Sequence, residues 1–176
     1  VLAVPGVESA VAVENDTATA ATVGGVVLEA HSFGVIVWPE PLADDVLEAV
    51  ALAIYARKPA GIKSVGFDAL ITVTSGSTST VIRLDYADAT TVDIVIGLTM
   101  ESGWAVADVE DAINDALALL FGGLGIGDPV RRLDIYGLLA AIEGIAAVPT
   151  LTLNGTSADI TPNKRHIAQL GTVAVS

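Results

Sequence analysis

The sequence predicts an α+β fold of two small subdomains, each a mixed or antiparallel sheet packed with one or two helices. Three observations carry this. Apolar residues four apart mark helices over residues 42–58, 105–121 and 134–146, and alternating runs mark strands around them. A hairpin pattern spans residues 69–86, which a regularly alternating, doubly wound sheet would not contain. The last two helices are joined directly by a Gly/Pro-rich connection. The joint falls at Asp88-Ala89-Thr90, so the expected domains are residues 1–88 and 89–176.

Residues 7–14 are Val-rich and end in the turn pair Asn15-Asp16, a strand pattern. Residues 17–25 hold Thr, Ala and Gly without charge and read as a surface loop. Residues 35–38 form a short apolar strand stopped by Pro39 and Pro41. In the helix over 42–58, Leu42, Val46, Val50 and Ile54 share a face that Leu47 and Ala51 widen. Asp44, Asp45 and Glu48 stand early and Arg57-Lys58 close it, as the helix dipole favours. Pro59 and Gly61 break it.

Residues 69–74 and 80–86 are the hairpin strands, with residues 75–79 as a five-residue polar connection. Residues 92–100 alternate again. The helix over 105–121 uses Val106, Val109, Ile113, Leu117 and Leu120, carries four acids in its first three turns, and ends at Gly122-Gly123. Asp134 is placed to cap the next helix, whose stripe is Ile135, Leu138, Leu139, Ile142 and Ile145; Pro149 stops it. Closing strands follow over 150–153 and 172–175.

Composition narrows the function classes. Lys plus Arg number 8 against 21 Asp plus Glu, a net charge of −13, which repels nucleic-acid phosphates and anionic membrane surfaces alike. There is no Cys, hence no disulfide, thiolate nucleophile or zinc-thiolate site. Hydrophobic residues make up 52% and charged residues 16%, which excludes disorder. Mean hydropathy is +0.66, yet the most apolar stretches are interrupted by Asp134 and Glu143, or by Asp108, Glu110, Asp111 and Asp115. No transmembrane segment or signal peptide is therefore expected. Such apolar content in so acidic a chain points to surface buried against partners. The chain opens at Val1 in strand-like sequence and reads as a fragment of a longer protein.

A search for chemistry returns no catalytic, cofactor or metal residue. Gly122-Gly123-Leu124-Gly125-Ile126-Gly127 follows a helix, whereas a dinucleotide fingerprint follows a strand and opens a helix. His31 and His166 lack partners at metal-ligand or triad spacing, and no Ser sits in a nucleophile elbow. The acidic pairs Asp44-Asp45, Glu110-Asp111 and Asp85 with Asp88 are assigned to early helical turns, where dipole compensation explains them. Three basic clusters remain: Arg57-Lys58, Arg131-Arg132 and Lys164-Arg165. They read either as helix C-capping and solvated ends, or as subunit-interface residues that meet acidic neighbours. On the second reading, reversing Arg131 and Arg132 to Glu leaves folding intact and weakens assembly.

The ordered segments resemble a known family. Val4-Pro5-Gly6-Val7 is followed by Asn15-Asp16-Thr17, then by a helix ending Arg57-Lys58-Pro59-Ala60-Gly61-Ile62 with Gly66 shortly after. Ile82 to Ala87 make a join. Leu124-Gly125-Ile126-Gly127-Asp128-Pro129-Val130 precedes the helix through Leu138 to Ile145, and Thr150 to Asn154 and Ile167 to Val175 close the chain. In this order they resemble the baseplate J-like family of contractile phage tails, relatives of the phage Mu baseplate protein. The resemblance implies a structural wedge component in six-fold rings, linking hub and tube to the sheath or fibre network. It implies other baseplate proteins and copies of itself as partners, and a virion tail baseplate assembled in the bacterial cytoplasm. It implies no catalytic residue, cofactor or small-molecule substrate. Tailocins and contractile injection systems use similar subunits. The competing class is a secreted or surface protein- or carbohydrate-binding module, for which Trp38, Trp104, Tyr55, Tyr86 or Tyr136 would have to line a groove. An acid-dependent hydrolase would instead need two carboxylates converging in a pocket.

Overall fold

In the computed structural model, which describes residues 1–176, the buried run Val35, Ile36 and Val37 occupies the middle of a five-stranded mixed sheet. That run belongs to β4 (Ser32–Trp38). It pairs antiparallel with β1 (Ser9–Asn15), and parallel with both β5 (Lys63–Val65) and β7 (Thr78–Tyr86). Strand β7 also pairs antiparallel with β6 (Ala69–Ser75), so the order is β1-β4-β7-β6 with β5 on β4. Alternation along β4 splits its side chains between two cores. Val35 and Val37 meet Val50, Ala51 and Ile54 of helix α1 (Asp44–Tyr55), together with Val73, Ile82, Leu84 and Tyr86. Ile36 turns the other way, into a core with Val13, Val26, Leu28, Val65, Ala87, Ile126 and Ile167.

Residues 17–25 are not all loop. Ala21–Val23 (β2) pairs with Val26–Leu28 (β3) through Gly24-Gly25, whose φ values of 58° and 88° give the left-handed turn a tight hairpin needs. A three-residue strand is too short to show periodicity. Helix α1 is also shorter than 42–58. Ala43 is its N-cap and Ala56 its C-cap, and the N–H groups of Arg57 and Lys58 both donate to Ile54 O. The two cations thus stand beyond the last turn. The β6–β7 connection is two residues, Gly76-Ser77, because Ser75 already pairs with Thr78 and Thr74 with Ser79.

The second sheet has the order β10-β8-β9, from β8 (Asp88–Met100), β9 (Ile145–Leu153) and β10 (His166–Val175). Val92, Ile94 and Ile96 of β8 are fully buried against helix α2 (Val106–Gly122) through Val109, Ile113, Leu117 and Phe121, and against helix α3 (Arg132–Leu139) through Ile135 and Leu139. Each such aliphatic burial contributes about 1.5–3 kcal/mol.

The third helix runs from Arg132, not Asp134, and stops at Leu139, so residues 134–146 do not form the expected helix. Gly144 has φ 93°, and Trp104 packs where its Cβ would stand; no side chain-bearing helical residue fits there. Ile142 and Ile145 still reach the core, which is why the stripe looked helical. Pro149 does not end a helix but sits inside β9, on a sheet edge, where Leu98 alone faces Val148 and Pro149 in a bulge. The closing strand is longer than 172–175 and opens at His166.

By contact the chain forms two units. One is Val1–Asp88 with Gly125–Gly127 and Asn163–Ile167; the other is Ala89–Leu124, Asp128–Pro162 and Ala168–Ser176.

Candidate functional site

The most strongly charged cluster is built around Arg165, in the first unit. Its Nη1 lies 2.9 Å from Asp85 Oδ2, its Nη2 3.1 Å from Asp68 Oδ2, and its Nε 3.2 Å from Asp88 Oδ2. The backbone completes the arrangement. Phe67 N–H donates to Asp85 Oδ1 at 2.7 Å, Tyr86 N–H to Asp68 Oδ2 at 2.9 Å, and Asp88 N–H to Arg165 O at 2.8 Å. Only a guanidinium offers donors in a fixed planar fork that can reach three carboxylates at once. Burial pulls the Arg165 pKa down, but the charges of Asp85, Asp68 and Asp88 together outweigh it and hold the pKa above its ordinary value. Asp85 is 2% exposed, so this is an ion pair that closes the fold rather than a free acid.

Lys164 beside it also binds inward. Its N–H donates to Gly24 O at 2.7 Å, and its stem passes so close to Gly24 that a Cβ there would meet Cγ at 2.8 Å. In the second unit Arg132 spans three acceptors: Leu151 O (3.1 Å), Ser157 O (2.9 Å) and Tyr136 Oη (3.1 Å), with its guanidinium 5.5 Å from the Tyr136 ring centre. Lys58 Nζ donates to Ile62 O at 2.8 Å and closes the turn after α1. Arg131 makes only a 4.0 Å contact with Asp134, both more than 40% exposed, and Arg57 is exposed at the end of α1. Of the three basic pairs, Arg57 and Arg131 therefore offer their charge to solvent.

One further feature was missed. A cleft of about 580 Å³ opens in the first unit between α1 and the β1–β4 half of the sheet, with Ala12, Val35 and Phe33 opposite Ala53, Ile54 and Arg57. It exists because α1 packs mainly on β6 and β7. No local pattern encodes which half of a sheet a helix covers. No group of three or more His, Asp or Glu side chains is placed to hold a metal ion. His31 is exposed, with φ 49°, at the mouth of the cleft.

Asp93 is the second unit's polar tie. Its Oδ1 accepts both Thr172 N–H and Thr172 Oγ1–H at 2.8 Å, and its N–H donates to Asn154 Oδ1 at 2.7 Å. The Thr172 backbone and hydroxyl bonds hold its pKa below the ordinary value.

Compared with known proteins, residues 92–176 match the family described as Baseplate J-like protein C-terminal domain. The match takes in most of the second sheet with helices α2 and α3. No curated protein matches the chain. The matched residues include Arg131, Arg132, Lys164 and Arg165, while Arg57 and Lys58 precede them. No helix of the chain is long and apolar enough to cross a membrane.

Proposed function

We propose that the chain is a structural subunit of a contractile-tail baseplate, a wedge component repeated in six-fold rings that links hub and tube to the sheath or fibre network. The baseplate J-like match over residues 92–176 carries this reading. The polar geometry supports it. Arg132, Arg165 and Asp93 all join segments distant in sequence, so the charged and polar networks act as fastenings rather than reaction centres. Its partners are other baseplate proteins and copies of itself, its place the virion tail, and it acts without cofactor or substrate turnover. Within the three basic pairs, Arg57 and Arg131 are the cations free to meet acidic neighbours, and Lys58, Arg132, Lys164 and Arg165 bond within their own units.

The binding-module reading has the cleft beside α1 in its favour, but Phe33 is the aromatic that lines it. Trp38, Trp104, Tyr55, Tyr86 and Tyr136 do not, so the aromatics that reading required are not at the cleft and, of Phe, Trp and Tyr, Phe33 alone offers a ring there. Immunogold electron microscopy with antibody to this chain, on intact and disrupted tails, tests the assignment. Label at the tail end distal to the capsid, or at one end of a headless contractile particle, is expected. Disrupted tails that stay bare overturn it.

A further inference from the structure

We propose that the free edge of β6 is a self-association site, where two copies of this chain pair β6 with β6, antiparallel and centred on Thr72. This gives the baseplate subunit a specific contact with its own copy.

The argument begins with unpaired backbone groups. Strand β6 has β7 as its strand partner and forms the end of the sheet. Ser75 and Thr78 flank the two-residue turn and make the closing pair. Alternation along an antiparallel ladder then directs the N–H and C=O groups of Ala69, Ile71, Val73 and Ser75 toward β7, and those of Leu70, Thr72 and Thr74 outward. Thr74 Oγ1 and Ser79 Oγ, 3.1 Å apart, fit the closer, non-bonded pairs of that pattern. A row of outward donors and acceptors is completed by an extended strand.

Natural sheets guard such edges with a Lys, a Pro or a bulge. Strand β6 has none of these: it is Ala-Leu-Ile-Thr-Val-Thr-Ser, paired in unbroken register. Its outer face adds Leu70, 56% exposed, opposite Arg83 of β7 and diagonal to Val81, 45% exposed, while Ala69, Ile71 and Val73 pack toward α1.

Two features choose a second copy as the occupant. Residues 69–82 carry no charge in a chain of net charge −13, so this is a surface on which two such chains meet without placing acids together. The strand is also symmetric about its midpoint. Thr72 is the central residue of Ala69–Ser75 and points its backbone groups outward, so the pair Thr72–Thr72 engages every outward group of both copies. Leu70 then lies opposite Thr74 of the other copy, and Asp68 opposite its Gly76, an uncharged position. The nearest cation, Arg83, stands one strand in from the edge. Two copies of it are about 14 Å apart at roughly 4.8 Å per strand, beyond a screening length of about 8 Å.

The chain lacks Cys, so one introduced thiol reports a single contact. Opposed residues of a hydrogen-bonded antiparallel pair have Cα atoms about 5.5 Å apart, within the disulfide range. Thr72→Cys, oxidised with copper phenanthroline, is expected to run as a covalent dimer on a non-reducing gel, and Val95→Cys on the exposed face of β8 is not. In sedimentation velocity the wild-type chain is expected to dimerise, and Leu70→Lys to weaken the dimer by roughly tenfold or more with its circular dichroism unchanged. A wild-type chain that stays monomeric at about 100 μM, or equal cross-linking through Val95→Cys, overturns the proposal. So does cross-linking of Thr72→Cys in assembled particles to a different protein only, which would make the occupant a foreign strand. A monomeric chain that still labels tail ends refutes the β6 contact and leaves the baseplate assignment standing.

Discussion

Arg165→Met is the perturbation that asks most of the first unit. It removes one guanidinium from three carboxylates, and Asp85 among them is 2% exposed with no route to solvent unless the unit opens. Breaking a buried pair from one side costs about 3–5 kcal/mol. The Arg165 side chain is 26% exposed and that of Asp88 54%, which moves the expectation to the lower end, about 3 kcal/mol. At roughly 2–4 °C per kcal/mol for a chain of this length, Tm falls by about 6–12 °C. Scanning calorimetry is the assay, since a first-unit transition can separate from that of the second. Arg165→Lys keeps the charge but not the fork and should recover part of the loss. The double variant Arg165→Met with Asp85→Leu should recover more, because no buried charge is left unpaired. The raised Arg165 pKa sets the pH behaviour. Its stabilisation is complete below the ordinary arginine value and is lost only as pH rises through the still higher folded value, so the deficit is the same at about pH 6 and pH 9. A Tm for Arg165→Met within about 1 °C of wild type would refute this account of the cluster.

Asp93 predicts acid sensitivity in the second unit. Its folded pKa is depressed, so its contribution is present above the ordinary value of 3.8 and disappears as pH falls through the lower folded value. Asp93→Asn should flatten the acid limb of the melting-temperature profile below about pH 4, and an unchanged limb would remove Asp93 as its cause. The neighbours Arg131 and Arg132 should separate cleanly. Arg131→Glu is expected to leave unfolding within about 0.5 kcal/mol of wild type, whereas Arg132→Glu loses three hydrogen bonds and costs about 2 kcal/mol or more in urea titration.

How far the fold was legible follows from the range over which each signal acts. Val92, Ile94 and Ile96 announced a strand because alternation is written in adjacent residues, and α2 announced itself through Val109, Ile113 and Leu117 in the same way. The third helix failed where local and tertiary signals diverged: Ile142 and Ile145 keep helical spacing, but Trp104, distant in sequence, occupies the space over Gly144. The basic pairs were visible as departures from an acidic background. What they do was not, since Arg165 finds Asp68 and Asp85 across about half the chain, and Arg132 finds Leu151 and Ser157 well beyond its own helix. Spacing along a chain carries no record of such closures. The β6 edge lies between these cases: its uncharged sequence is plain, but its position at the end of the sheet comes from topology.

These closures change what the net charge of −13 means for assembly. Arg165 and Arg132 are engaged inside their units and Lys63 pairs with Glu29, so these cations are withdrawn from partner contact together with the carboxylates they pair with. Two modes of contact between copies remain, and they respond oppositely to salt. If Arg57 and Arg131 seat in acidic patches of a neighbour, added salt screens the attraction and the complex weakens. If copies meet at the uncharged β6 edge, the dominant charge effect is repulsion between two acidic chains, and salt screens that instead. Raising NaCl from about 50 mM to 500 mM should therefore strengthen wild-type self-association in sedimentation experiments, and Leu70→Lys should weaken the dimer at both salt concentrations. Self-association that weakens with salt and survives Leu70→Lys would transfer the contact to the exposed arginines.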